Sequence, residues 1–438
     1  MSEDETQTPE HGPGPDWGFE TRMIHAGAGP DPTSGARQTP IHQTSAYAFH
    51  DADHAASLFN LQTFGFIYSR LGNPTVATLE ERIASLEGGR GATCAASGHA
   101  AQVLAFFPLI EAGERFAAST RLYGGSVTQF SRTFPKFDWR CDFVDTEDLS
   151  AVEAVLAKGA KALFVESLAN PGGVVTDLEA LAGLTRAAGA LLIVDNTLAT
   201  PWLCRPFEWG ADLIVHSATK FLSGNGTVIG GAVVDSGRFD WSASGRFPGL
   251  SEPEPAYHGL KFSETFGDLA FTVHSHAVGL RDLGASMAPM NAFLTLLGTE
   301  TLALRMERHC RNAQAVAEWL TEHPKVEWVS HAGLPTSPYR ELAEKYLPNG
   351  AGAVFTFGVR GGYEAGVNVV EKCELFSHLA NIGDARSLII HPASTTHRQL
   401  TDEQRAAAGA GPEVVRLSIG LETVDDLVRD LDHALAAA

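Results

Sequence analysis

Residues 190–220, ALLIVDNTLATPWLCRPFEWGADLIVHSATK, contain two short apolar runs, and each run ends in polar residues. The runs ALLIV and ADLIV have the length and composition of buried strands. Asp195 follows the first run, and Lys220 lies just past the second. In a doubly wound sheet, the carboxyl ends of such strands open into one crevice, where ligands bind. The stretch therefore predicts a layered sheet with Asp195 and Lys220 in the same crevice.

The same alternation of strand and helix continues on both sides. KALFVES (161–167) and GGAVVD (230–235) predict strands, and TDLEALAGLTRAAG (176–189) predicts an amphipathic helix that ends at a glycine. PTVATLEERIASLEGG (74–89) predicts a helix with proline in its first turn and glycine at its end. This alternation predicts an α/β fold with a large, mostly parallel sheet that is covered on both faces.

The C-terminal part of the chain has a different pattern. A long helical stretch (291–324) precedes the strands VEWVS (326–330) and AVFTFGV (353–359). VNVVEKCELFSHLAN (367–381) and VDDLVRDLDHAL (424–435) then predict two further helices. We expect a second, smaller α/β domain here.

Composition limits the classes of partner. The 438 residues have a formal net charge of -20, which disfavours nucleic acid and anionic membranes as partners. No apolar run approaches the roughly 18 residues that a membrane helix needs. The five cysteines include no CxxC pair, so neither a zinc site nor a disulfide framework is expected. The acidic, Pro/Gly-rich first fifteen residues predict disorder rather than a secretory signal. We expect a cytoplasmic protein.

Lys220 and Asp195 together suggest a specific cofactor. A lysine at the end of a buried strand is unusual, because a lone buried ammonium group is costly. One use of such an amine is a lowered pKa and a Schiff base. Asp195 could keep a pyridine nitrogen protonated, so that the ring accepts electrons. Each residue alone has a commoner role, as a surface lysine or a helix cap, but the pair predicts pyridoxal 5′-phosphate (PLP).

A cofactor phosphate and ring need further residues. Ser217 and Thr219 supply hydroxyl groups beside Lys220. Gly98 and His99 precede the apolar helical stretch AAQVLAFF, whose first backbone N–H groups would face an anion. Tyr123, in RLYGGS, could lay its ring on the cofactor, although most tyrosines of this kind belong to a core.

The sequence gives less support to a nicotinamide cofactor, a nucleotide or a metal ion. The G-x-G-x-x-G fingerprint of nicotinamide enzymes is absent after the strands, because GNGTVIGG has the wrong spacing and precedes a strand. No P-loop occurs. HDADH places His50 and His54 four residues apart without a third ligand nearby, so we expect no metal site.

Seven motifs in order resemble those of a known family: YSRLGNPT, SGHAA, YGGS, ESLANP, VDNT, HSATK and RLSIGLE. From about Thr21 to the C-terminus, the chain resembles the γ-subfamily of fold type I PLP-dependent enzymes, the Cys/Met-metabolism group. This resemblance implies an aspartate aminotransferase-like fold with a large, mostly parallel sheet domain and a smaller C-terminal α/β domain. We place the tail and a subunit-contact arm at 1–72, the PLP-binding domain at 73–290 and the C-terminal domain at 291–438.

The resemblance implies a role for each matching residue on the cofactor side. Lys220 would form the Schiff base and carry protons, Asp195 would pair with the pyridine nitrogen, and Tyr123 would stack on the ring and assist proton transfer in catalysis. Asn170 would contact the ring hydroxyl. The phosphate would be held by Gly98, His99, Ser217 and Thr219. Several relatives carry methionine where this chain has His99, so only a backbone role carries over at that position.

It also implies substrate and subunit contacts. Arg416 would bind the substrate α-carboxylate with both arms of its guanidinium group, and Asn381 would contribute to the same substrate site. Tyr68 and Arg70 would reach the phosphate in a neighbouring subunit, so the active unit would be at least a dimer and usually a tetramer.

Three segments resemble the O-acetylhomoserine sulfhydrylase branch: YGGSVTQFSRTFPKF (123–137), YHGLKFSETFGDLAF (257–271) and HPASTTHRQL (391–400). The implied reaction is γ-replacement, in which sulfide or methanethiol displaces acetate from O-acetyl-L-homoserine to give homocysteine or methionine. Alternatives are a γ-lyase, a cystathionine γ-synthase and, more remotely, a non-catalytic PLP-binding protein. The motifs do not distinguish an acetyl from a succinyl ester.

Overall fold

A computed structural model describes residues 16–170, 173–243, 245–396, 398 and 409–437. The predicted disorder of the first fifteen residues lies outside these ranges. The strands, in chain order, are β1 (Gly91–Ala95), β2 (Arg115–Ser119), β3 (Arg140–Val144), β4 (Ala162–Glu166), β5 (Leu191–Asp195), β6 (Leu213–His216), β7 (Gly231–Asp235), β8 (Val326–Ser330), β9 (Val354–Val359), β10 (Ser377–His378), β11 (Leu388–Ile390) and β12 (Val414–Ser418).

These strands form two sheets. The larger has seven strands in the order β1-β7-β6-β5-β4-β2-β3, and the smaller has five in the order β10-β11-β12-β9-β8. In the larger sheet, β2 to β6 pair in parallel and β7 runs antiparallel to both of its neighbours. In the smaller sheet, only β10 and β11 pair in parallel. A large, mostly parallel sheet is therefore present, as the sequence predicts.

The α-helices surround these sheets. They span Phe19–His25, Ala52–Phe59, Pro74–Glu87, Gly98–Phe106, Gly124–Thr128, Leu149–Leu156, Leu178–Ala187, Thr200–Leu203, Pro248–Ser251, Phe262–Phe266, Ala270–His274, Arg281–Leu283, Pro289–Thr299, Leu302–Glu322, Arg340–Tyr346, Gly362–Lys372 and Val424–Ala436. Short 3₁₀ turns span Phe134–Phe137, Pro206–Trp209, Pro255–Tyr257, Gly267–Leu269 and Pro392–Ser394, and π-helical segments span Gln129–Thr133 and Ser275–Leu280. None of the helices described is long and apolar enough to cross a membrane.

Both faces of the larger sheet are buried, and β5 shows how. Leu192 and Val194 point into one apolar cluster, whereas Leu191 and Ile193 point into another on the opposite face. This alternation follows from the two-residue period of a strand. The first cluster also contains residues of β9 and β12, so one continuous core joins the two sheets. The domain boundaries at 72/73 and 290/291 stay predictions.

Helix ends follow the local signals in the sequence. The helix Pro74–Glu87 begins after Asn73, whose side chain accepts a hydrogen bond from the Thr75 N–H at 3.0 Å. It ends at Gly88, which has a φ of 76° that a residue with a side chain rarely adopts. The predicted helix boundaries at 74–89 are confirmed within a residue or two.

Two predicted helices differ from the structure. The helix predicted over 367–381 ends at Lys372, because the Asp430 carboxylate accepts the N–H groups of residues 374–376 at 2.8–3.1 Å and turns the chain. The residues that follow pair as β10 with β11. The stretch 291–324 is two helices rather than one, with a break at residues 300–301, beside which the Arg305 guanidinium donates to the Gly298 carbonyl at 2.7 Å.

Candidate active site

Three neighbouring strands of the larger sheet end at one cavity. β4 ends at Glu166 and β5 at Asp195, and these two residues are paired across the sheet. The turn that follows β6 leads to Lys220. The cavity has a volume of about 290 Å³. Its position matches the rule that ligands bind beyond the carboxyl ends of parallel strands.

Ten of the twelve predicted site residues line this cavity: Gly98, His99, Tyr123, Asn170, Asp195, Ser217, Thr219, Lys220, Asn381 and Arg416. They come from both sheets and are separated by up to 318 residues in the chain. Tyr68 and Arg70 are not among the lining residues. Both side chains are exposed, and the Arg70 guanidinium lies 5.5 Å from the centre of the Tyr68 ring. Their predicted role in a neighbouring subunit stays a prediction.

The Lys220 amine is partly buried and is not paired with a carboxylate among the described residues. It donates a hydrogen bond to Asn381 Oδ1 at 2.5 Å. Burial, followed by the charge of Arg416, lowers the pKa of Lys220 to about 8. A neutral amine is therefore accessible near physiological pH, which is what reaction with an aldehyde requires.

Asp195 is a partly buried carboxyl group at the end of β5. It accepts the Thr197 N–H at 3.0 Å. Burial raises the pKa of Asp195 above its usual range, and the hydrogen bonds from Thr197 oppose this shift. Since no salt bridge to Asp195 occurs within the described part of the chain, a positively charged group in the cavity would restore its ionised form. A protonated pyridine nitrogen is such a group.

An anion site lies beside Lys220, at the start of the helix Gly98–Phe106. The first N–H groups of a helix have no acceptor within it, and they favour an anion. A Cβ atom on Gly98 would lie 2.8 Å from the Ser217 Cβ, so only glycine lets this helix approach Ser217 closely. The Thr219 hydroxyl donates to the Gly230 carbonyl at 3.1 Å and accepts the Gly230 N–H at 3.0 Å, which fixes the turn. The first N–H groups of the helix Gly98–Phe106, beside Ser217, fit a phosphate group, whereas the Thr219 hydroxyl already donates to Gly230.

Two aromatic rings bound the same space. The rings of His99 and Tyr123 lie near parallel, with centres 6.0 Å apart and an angle of 27°. Tyr123 is 49% exposed and so keeps a free face toward the cavity. Burial lowers the pKa of His99, although the Asp195 charge opposes the shift. Burial therefore favours the neutral form of the His99 imidazole.

The smaller sheet supplies a buried cation. Arg416, in the middle of β12, is 9% exposed and donates to Asn170 Oδ1 at 3.2 Å and to the Asn381 carbonyl at 3.3 Å. Burial lowers the pKa of Arg416 to about 10. Both partners are neutral, so the guanidinium charge is available for a ligand carboxylate.

The cavity also contains polar residues to which the sequence analysis gave no role. Gln102, Ser126, Glu166 and Thr197 all line it. Gln102 Nε2 donates to Ser126 Oγ at 2.9 Å. Glu166 is the last residue of β4 as Asp195 is of β5, and it lies at the end of the predicted strand 161–167, so the strand-end rule that selected Asp195 could have found it. Burial and then the charge of Asp195 raise the pKa of Glu166 to about 8.

Comparison with known proteins agrees with this geometry. The sequence pattern of the family described as Cys/Met metabolism PLP-dependent enzyme matches residues 20–436. O-acetyl-L-homoserine sulfhydrylase 1 of Thermus thermophilus is 50% identical over 95% of this chain and 100% of that protein. Homocysteine synthase of Schizosaccharomyces pombe is 46% identical over 96% of this chain and 98% of that protein.

A solved structure has the same fold. It is a Campylobacter jejuni protein described as an O-acetylhomoserine (thiol)-lyase, with a pyridoxyl-lysine-5′-monophosphate residue. It is 41% identical, covers 96% of this chain and 100% of its own, and superposes with a TM-score of 0.93. The likeness confirms the predicted α/β architecture, the aspartate aminotransferase-like fold type I, with a large, mostly parallel sheet and a smaller second sheet.

Proposed function

The chain belongs to the Cys/Met metabolism PLP-dependent enzyme family, and we propose that it catalyses a γ-replacement in methionine biosynthesis. Its substrates would be O-acetyl-L-homoserine and sulfide, or methanethiol, and its products L-homocysteine, or L-methionine, and acetate. The relatives named for this chemistry match nearly the whole chain. The observation that carries the proposal is that the Lys220 amine and the Arg416 guanidinium lie in one cavity, where a single amino acid could reach both.

In this proposal each side chain has a separate task. PLP, when bound, supplies an electron sink for the charge that remains on the substrate Cα atom. Lys220 Nζ takes the proton from Cα, for which its lowered pKa suits it. Arg416 holds the α-carboxylate and so fixes which bond at Cα faces Lys220. Asp195 keeps a proton on the ring nitrogen, and the N–H groups at Gly98 and His99 hold the phosphate.

The atoms of the reaction balance without an oxidant or reductant. Protons leave Cα and Cβ, the bond from Cγ to the ester oxygen breaks, and acetate departs. The sulfur atom of hydrosulfide then bonds to Cγ, and the protons return to Cβ and Cα. Loss of acetate without sulfur addition would instead give 2-oxobutyrate and ammonia after hydrolysis, which is the γ-lyase outcome.

The experiment distinguishes addition of sulfur at Cγ from release of 2-oxobutyrate and ammonia. The purified holoenzyme is incubated with O-acetyl-L-homoserine, with and without sulfide, while homocysteine, 2-oxobutyrate and ammonia are measured together. We expect homocysteine that depends on sulfide, with little oxo acid. Oxo acid and ammonia formed equally in both reactions would identify a γ-lyase. O-succinyl-L-homoserine in a parallel reaction tests the acyl group.

We also propose that the active unit contains at least two chains, and that Tyr68 and Arg70 serve the neighbouring site. Exposed aromatic side chains near these residues support this, including Phe64, which is 75% exposed. Mixing unfolded Lys220→Ala and Arg70→Ala chains and refolding them together would give hybrid dimers with one intact site each. We expect roughly a quarter of wild-type activity from random pairing, whereas sites built within one chain would give none. A tetramer and a cytoplasmic location stay predictions.

A further inference from the structure

Glu166 contacts two residues that line the cavity, yet the reaction scheme above gives it no task. Its Oε1 atom accepts the Tyr123 N–H at 2.6 Å, and its Oε2 atom accepts the Asn170 N–H at 3.0 Å. Tyr123 and Asn170 lie in different loops, 47 residues apart in the chain. One carboxyl group therefore joins the two loops that border the cavity.

The backbone of Glu166 is itself fixed within the larger sheet. Glu166 is the last residue of β4 and is paired with Asp195 of β5. The Ser167 N–H donates to the Asp195 carbonyl at 3.0 Å, and the Thr176 hydroxyl donates to the Glu166 carbonyl at 2.6 Å. The residue is only 4% exposed. The Glu166 carboxyl group therefore holds both loops in place relative to the sheet.

We propose that Glu166 is a positioning residue, which sets the Tyr123 ring and the Asn170 side chain against the two regions of the cofactor ring that they contact. The inference rests on the proposed function for the roles of Tyr123 and Asn170. It adds a residue that touches neither substrate nor cofactor in this account and that acts through its two neighbours.

The same contacts extend to the substrate side. Asn170 Oδ1 accepts a hydrogen bond from Arg416 Nη1 at 3.2 Å. A shift of Asn170 would therefore also move the guanidinium group that we assign to the substrate carboxylate. Loss of the Glu166 contacts should lower kcat through Tyr123 and raise KM through Arg416, whereas a change in folding stability alone would do neither.

Two opposing effects act on the pKa of Glu166 at this position. Two carboxyl groups on adjacent strands repel each other when both are ionised, and burial increases the repulsion. The two backbone N–H donors oppose this effect, because they stabilise the ionised form. Glutamine at this position would keep the shape, but its amide nitrogen would meet one of the two N–H groups and lose that hydrogen bond.

The test compares the Glu166→Gln and Glu166→Asp holoenzymes with wild type. Visible circular dichroism of the bound cofactor reports the orientation of its ring, and titration of the apoenzyme with PLP gives a dissociation constant. We expect a weaker dichroic band and a dissociation constant raised about tenfold, the loss expected for one buried hydrogen bond. Glu166→Asp keeps the carboxyl group but is one methylene too short to meet both donors, so it should shift both measurements the same way.

Asp212→Asn is the matched control. Asp212 is a partly buried carboxyl just before β6 and accepts the Leu192 N–H at 2.8 Å, at the opposite end of β5 and away from the cavity. We expect this variant to lower the unfolding temperature while leaving the dichroic band and the PLP dissociation constant unchanged.

A double-mutant cycle then assigns the effect to Tyr123. If Glu166 acts through Tyr123, the loss of kcat caused by Tyr123→Phe should be smaller in the Glu166→Gln background than in wild type. Unchanged dichroism and PLP binding in both Glu166 variants would overturn the proposal, as would full additivity in the cycle. The spectral measurements require no particular substrate, so a failure of the proposed reaction would be recognised separately.

Discussion

The two sheets contribute to the cavity in different ways. The larger sheet contributes residues at or just beyond the ends of parallel strands, and Asp195 and Lys220 are the main examples. The smaller sheet contributes Arg416 from the middle of an antiparallel strand and Asn381 from the loop after β10. Groups suited to a cofactor therefore come from one sheet, and the cation suited to a substrate carboxylate comes from the other.

This difference indicates a division of labour. The amine of Lys220, the carboxyl of Asp195 and the anion site lie at the ends of strands whose other residues are buried in the core. The packing of the core therefore fixes this part of the site. Arg416 and Asn381 reach the same cavity only because the two sheets pack on a shared core. Changes in the larger sheet should disturb the bound cofactor, whereas changes in the smaller sheet should disturb substrate binding.

Lys220→Ala should have the largest effect. It removes the only amine that lines the cavity in the described part of the chain. We expect loss of the visible band of the bound cofactor and a fall in kcat of about 10³-fold or more, since both the covalent link and the base are lost. Absorbance and the sulfide-dependent assay measure this, with Lys345→Ala as the control. A normal visible band in Lys220→Ala would contradict the assignment.

Asp195→Asn should be the next most severe. An amide cannot hold a proton on the ring nitrogen by charge, so the electron sink weakens although the cavity keeps its shape. We expect kcat to fall about 10²- to 10³-fold with a much smaller change in KM. Steady-state kinetics with O-acetyl-L-homoserine would measure both. A variant that changes only KM would place Asp195 on the substrate side instead.

A smaller effect concerns pH. The pKa of Lys220 is lowered to about 8, so the amine is mostly protonated below that pH and mostly neutral above it. The rate at which apoenzyme attaches PLP should rise about tenfold per pH unit below pH 8 and level off above it. Stopped-flow absorbance follows this rate. A rate that is independent of pH between 6 and 9 would show that the amine is not the titrating group.

Asp430→Ala should have the smallest effect on the cofactor. It removes the acceptor of three N–H groups at the turn after Lys372, in the smaller sheet. We expect the free energy of unfolding to fall by about 1–2 kcal/mol. Urea unfolding measures the loss, and the visible spectrum should stay as in wild type. A changed spectrum would mean that the smaller sheet also shapes the cofactor site.

The sequence was most informative about the larger sheet. Its strands follow a local period, so Asp195 and Lys220 could be placed together from the pattern alone. Glu166 ends its strand in the same way, but the strand pattern alone assigns no cofactor group to it. The early end of the helix at Lys372 depends on Asp430, which is 58 residues away and cannot be inferred from a local period.

In the smaller sheet, the site residue was predicted from the family resemblance and not from the sequence pattern. Arg416 lies within an apolar strand, and no spacing rule connects it to Lys220. Its place in the cavity follows from packing between sheets, which periodicity does not encode. Resemblance to the family suggested the position, and the structure brings Arg416 into the cavity with nine of the other eleven predicted residues. The roles of these residues stay predictions until they are substituted.

The division between the sheets is tested most directly by Arg416→Ala. PLP binding to the apoenzyme and the spectral change on adding O-acetyl-L-homoserine to the holoenzyme are titrated on the same preparation. We expect the PLP dissociation constant to stay within about threefold of wild type and the midpoint for the amino acid to rise about 100-fold, because a buried charged contact to the carboxylate is lost. Weakened PLP binding with an unchanged amino acid midpoint would contradict the account.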